Sequence, residues 1–83
     1  MSEPTFGDLR QVLLGLGFQE NPSPSRVRFE HARTDTIVLL RPYAADDVVD
    51  PAALFAVRRL LDERGVVGRE EFDTLLRTRS LAN

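Results

Sequence analysis

Residues 23–40 read SPSRVRFEHARTDTIVLL, and the way this stretch folds decides the architecture. From Ser25 to His31 the side chains alternate: Val27, Phe29 and His31 share one face, while Arg26, Arg28 and Glu30 share the other. Such a period of two is the mark of a half-buried β-strand. After a turn at Ala-Arg-Thr-Asp, residues 36–40 (TIVLL) supply a second strand, which Arg41-Pro42 must end because proline cannot extend a ladder. One face of this hairpin is apolar and has to meet helices. The other carries charge and faces water or a ligand.

Helices are expected on both sides of the hairpin. Thr5-Phe6-Gly7-Asp8 has a hydroxyl at the N-cap and an acid three residues on, and Phe6, Leu9, Leu13 and Leu16 recur at helical spacing. A helix over 6–15 follows, closed by Gly17 in a left-handed turn with Phe18 anchored behind it. GFQEN offers a short additional strand, and QENPSPS, with two prolines, is a loop. Asp50-Pro51 begins a second helix, with Asp50 as N-cap and Pro51 at the first helical position. Its buried stripe is Ala53, Leu54, Val57, Leu60 and Leu61, and Gly65 closes it. A last helix spans about 69–77, with Phe72, Leu75 and Leu76 apolar, and the tail TRSLAN is expected to fray. The expected fold is a single α+β domain over 1–83: a small antiparallel sheet of two to three strands packed on helices.

Composition narrows the chemistry. The 83 residues include no cysteine and a single histidine, which leaves no thiol nucleophile, disulfide framework or structural zinc site. No apolar run approaches the ~20 residues of a membrane span, and the opening MSEPTFGDLR has neither a basic nor an apolar leader region, so a cytoplasmic location is expected. The net charge of −2 hides a segregation. Arg26, Arg28, Arg33 and Arg41 outweigh Glu30 and Asp35 over residues 23–43, whereas residues 44–63 are acidic. All eleven basic residues are arginine. Their planar forks suit phosphate and bases, and a GC-rich coding sequence would favour arginine as well.

Three positions compete for chemical roles. Asp46, Asp47 and Asp50 are oxygen ligands in principle, yet Asp50 reads as a helix cap, and no metal or cofactor is expected. A lone histidine can act as general base or acid in phosphodiester cleavage. His31, however, lies on the helix-facing side of its strand, where a half-buried ring bonded to a turn carbonyl is the competing role. Phe55 falls almost opposite Val57 on the helical wheel. Either the last helix folds back and Phe72 covers it, or Phe55 stands with Arg58 and Arg59 as a partner hot spot.

The runs FGDLRQVLLGLGF, SRVRFEH, TIVLLRP and DPAALFAVRRLL followed by RGV together resemble the HicA-like (YcfA) family over roughly residues 6–66. The resemblance implies a double-stranded-RNA-binding-domain-like α–β–β–β–α core, here with residues 67–83 appended as a helix and tail. It also implies kinship with messenger-RNA-cleaving toxins restrained by a HicB-type antitoxin. Active members carry Gly-Ser-His where the second strand begins, and this chain has Pro24-Ser25-Arg26 there. Arg26 thus occupies the place of the catalytic histidine and, always protonated, cannot serve as a base. His31 matches a second, non-catalytic histidine of the family. The resemblance implies RNA binding through Arg26, Arg28, Arg33 and Arg41 without cleavage. The alternatives are a protein-interaction module, paired with an antitoxin or with itself, and a ribonuclease with a rearranged site.

Overall fold

The computed structural model describes residues 3–82, with side chains described through 79. The chain runs α1 (Phe6–Gly15), β1 (Gln19–Pro22), β2 (Val27–His31), a 3-10 turn (Ala32–Thr34), β3 (Thr36–Leu40), α2 (Pro51–Glu63) and α3 (Arg69–Ala82). The three strands form an antiparallel sheet in the order β1-β2-β3. Val27, Phe29, Val38 and Leu40 turn one face of it towards the helices and are buried with Phe6, Leu9, Leu13 and Leu61 in one core. This is the α+β architecture that the alternation in residues 25–31 implied.

α1 begins where the sequence placed it, and every early N–H has a partner. The Thr5 hydroxyl accepts from the Asp8 amide at 3.2 Å, and the Asp8 carboxylate accepts from the Thr5 amide at 3.0 Å, closing a capping box. The next two donors leave the helix altogether. Phe6 N–H donates to the Asp47 carbonyl and Gly7 N–H to the Ala45 carbonyl, both at 2.8 Å. The loop after β3 is thereby strapped to the start of α1, and the Val49 amide donates to the Pro4 carbonyl at 3.3 Å. A Cβ on Gly7 would sit 3.0 Å from the Ala45 oxygen, so the strap needs glycine there. At the other end Gly17 adopts φ +101°, the left-handed turn that admits glycine most readily.

Five expectations are corrected. Gln19–Pro22, read as part of the loop QENPSPS, forms β1, because its backbone pairs with β2 from Gln19–Glu30 to Pro22–Val27. β2 starts at Val27 rather than Ser25, because Ser23 through Arg26 close the β1–β2 hairpin: the Ser23 hydroxyl and amide both donate to the Arg26 carbonyl at 2.8 Å. Asp50 holds the N-cap position of α2, but its side chain caps nothing. Its carboxylate instead accepts from Tyr43 Oη at 3.0 Å and from Arg41 Nε at 3.5 Å. The last helix does not stop at residue 77: α3 continues to Ala82 through a segment free of glycine and proline, and Asn83 lies outside the described residues. Finally, Phe55 is not covered by the last helix. Phe72 turns into the core at 1% exposure, leaving Phe55 58% exposed on α2.

α3 is consequently part of the core rather than an addition to it. Phe72 and Leu76 are buried in the same cluster as Leu9 and Leu13, and Val67, just before the helix, joins them. Replacing Phe72 by Ala should therefore cost about 3–5 kcal/mol, as for any fully buried phenylalanine. Urea unfolding of the two proteins measures this; a loss under about 1 kcal/mol would mean that α3 packs only loosely on the rest.

Candidate functional site

The sheet has a second face that no helix covers. Strand alternation puts Gln19 and Asn21 of β1, Arg28 and Glu30 of β2, and Ile37 and Leu39 of β3 on it. The register sets them in two rungs, Gln19–Glu30–Ile37 and Asn21–Arg28–Leu39. The β2–β3 ladder ends at Val27–Leu40, and Arg26 and Arg41 are the next residue on each side. Arg28 on the open face, with Arg26 and Arg41 just past the ladder, thus lies towards one end of the hairpin.

Two of these three arginines are already engaged. Arg28 Nε lies 2.7 Å from Glu30 Oε1, its neighbour two residues along on the same face. The Arg41 guanidinium lies over the Tyr43 ring, 3.9 Å from its centroid, while its Nε approaches Asp50. Both ion pairs are largely exposed, and such pairs are weak and easily exchanged for another anion. Arg26 is exposed in the hairpin turn. Arg33, the fourth arginine of the expected set, is not brought to this end. It sits in the 3-10 turn beyond the far end of β2, separated from Arg26 by a strand length of about 17 Å.

His31 is buried and bonded through both ring nitrogens. Nε2–H donates to the Leu16 carbonyl at 3.1 Å, and Nδ1 lies 2.8 Å from Thr34 Oγ1. The Thr34 hydroxyl in turn meets the buried Thr36 hydroxyl at 2.7 Å. With the ring neutral, Thr36 donates to Thr34 and Thr34 donates to Nδ1, a chain in which each hydroxyl is satisfied. Phe18 packs on the imidazole at a centroid distance of 4.9 Å. The histidine therefore clamps the end of α1 to the β2–β3 turn, on the face opposite Arg26.

The residues expected as a partner site divide. Arg58 reaches back to α3, where Nη2 pairs with Asp73 at 3.0 Å. Its Nε is buried without a hydrogen-bond partner. Arg59 pairs along the helix with Glu63 at 3.2 Å, leaving Phe55 and Arg59 on the outward side of α2.

Sequence reasoning treated the open face as a charged one and missed Ile37 and Leu39, which are 43% and 52% exposed. An all-apolar TIVLL run conceals which of its sides is buried; only pairing with β2 puts Ile37 and Leu39 beside Glu30 and Arg28. An open groove of about 720 Å³ between α1, the Ala45-Asp46 loop and Arg79 was also unforeseen. Its charged walls do structural work: Asp8 caps α1, and Arg10 holds Glu20 of β1 at 2.7 Å. Among the described residues no cluster of acidic, histidine or cysteine side chains could hold a metal ion, and no helix is long and apolar enough to cross a membrane.

No protein-family model, curated protein or solved structure matches this chain.

The His31 clamp has a measurable consequence. His31→Ala would leave the Leu16 carbonyl and the Thr34 hydroxyl without their partner and open space beside Phe18. A loss of about 1–3 kcal/mol in denaturant unfolding is expected. Stability within about 0.5 kcal/mol of the parent would refute a structural role for the ring.

Proposed function

We propose that this protein is a catalytically silent, HicA-like RNA-binding domain that grips structured RNA at the arginine end of its open sheet face. The observation that carries the proposal is that Arg28 on the open face and the exposed Arg26 and Arg41 lie towards the same end of the β2–β3 hairpin. Structured RNA is recognised largely by shape, through phosphate and 2′-hydroxyl contacts, which arginine forks on a flat surface can make. Glu30 and Asp50 hold two of the forks in place until an RNA phosphate displaces them. Asn21, on the same rung as Arg28, adds an amide for hydroxyl or base edges.

Silence as a nuclease follows from the groups available. Arg26, at the position where the family resemblance would put the catalytic histidine, cannot take a proton. His31 is on the other side of the sheet with both nitrogens occupied. A second reading, a protein-interaction module, is favoured by the exposure of Ile37, Leu39 and Phe55. Under it an antitoxin-type partner or another copy of the chain takes the place of RNA.

Fluorescence anisotropy with a labelled RNA hairpin separates the two. Three phosphate contacts correspond to a roughly 20- to 40-fold loss of affinity between ~50 and ~200 mM salt. The double variant Arg26→Ala/Arg28→Glu should abolish binding while its melting temperature stays within a few degrees, since both side chains are exposed. Binding that survives the double variant would locate the RNA elsewhere, and no binding by the parent at either salt would favour the interaction module.

A further inference from the structure

The two edges of the sheet are treated differently. β1, Gln-Glu-Asn-Pro, is polar along its length and ends in a proline, features that discourage a strand from pairing with another chain. β3, Thr-Ile-Val-Leu-Leu, has neither charge nor proline within it. Its inner side pairs with β2, and no backbone hydrogen bond from any other described segment reaches residues 36–40. An unblunted apolar edge of this kind is a template for another strand.

We infer that the occupant is a second copy of this chain, its β3 paired antiparallel to the first about a two-fold axis at Val38. The inference is independent of RNA binding. It rests on the self-complementarity of the strand. In this register Ile37 lies opposite Leu39 of the second copy, and symmetry repeats the pair, so the four exposed aliphatic side chains meet on the open face. Asp35, in the left-handed turn just before β3, comes near Arg41, just after β3 of the second copy, again twice. The Asp35 carboxylate makes no hydrogen bond or ion pair with any described residue, and Arg41 would give up its exposed pairing with Asp50 and its place over the Tyr43 ring. Pro42, which has no N–H, ends the ladder on each side. A two-fold axis normal to the sheet keeps both open faces on the same side. The product is one six-stranded sheet closed at its ends by the two polar β1 edges.

Sedimentation equilibrium on the full chain tests the inference, and charge variants test the register. The mass should rise from 9.4 kDa towards twice that value between about 10 µM and 1 mM. Single variants I37K and L39E each put a charge opposite an aliphatic side chain at both symmetric positions and should weaken association about tenfold. The double variant I37K/L39E sets opposite charges against one another across this interface alone, and should recover most of the loss. All three variants remain compatible with the fold. Within one chain position 37 faces Glu30 and position 39 faces Arg28, and circular dichroism checks that the fold is kept. A mass fixed at 9.4 kDa to about 1 mM overturns the inference. So does association that ignores the single variants, or single-variant losses that the double variant fails to recover.

Discussion

The register of β2 is the constraint on which the remainder of the molecule depends. As the central strand it pairs with both neighbours, and its alternation divides the molecule into a helix-covered side and an open side. Phe29, fully buried at its centre, meets Phe6 of α1 at 6.3 Å, and Phe6 stacks on Tyr43 of the following loop at 5.5 Å. A slip of one residue would drive Arg28 and Glu30 into the core and turn Val27 and Phe29 out to water. The desolvation cost of burying those two charges, with the apolar side chains turned out, makes the register effectively unique.

Polar clamps at the two ends of α1 then hold it to the sheet. At its start, loop carbonyls of Ala45 and Asp47 take the orphan amides; at its finish, the His31 imidazole takes the Leu16 carbonyl. Helix termini are where backbone groups lack partners, so tertiary neighbours that satisfy them fix a helix in place without needing much apolar area. In a chain of 83 residues, whose core is small, this is a substantial part of the fold's specificity. The single histidine is held in this clamp, which keeps its ring away from solvent.

The open face joins two kinds of surface. Arg28 and Glu30 lie on it along the central strand, and Ile37 and Leu39 lie along one edge. A charged end engages an anion by long-range attraction and exchanges its partners readily. An aliphatic edge gains only when water is excluded from both sides, and so demands a partner of matching shape. The edge pairing inferred above would engage Arg41 with the second copy and leave Arg26 and Arg28 uncovered.

Much of this was legible in the order of residues. The α+β class, the bounds of α1 and β3, the capping box, the Gly17 turn and the inward side of β2 all follow from local rules: side-chain period, cap chemistry and the freedom of glycine. What escaped were features created by residues distant in sequence. Asp50 is a cap by position, but Tyr43 and Arg41, folded back from the loop, draw its carboxylate away. Phe55 lies off the buried stripe of α2, and only the packing of α3, which carries Phe72 into the core, decided that nothing covers it. Of the four arginines expected to act together, strand pairing brought Arg26, Arg28 and Arg41 to one end and left Arg33 at the other. The sequence by itself determined the helices, the β2–β3 hairpin and which face of the central strand is wet, because those depend on neighbours within one turn or one pleat. Which side chains share a surface was decided by tertiary structure alone, since pairing and packing join residues whose separation along the chain carries no local signal.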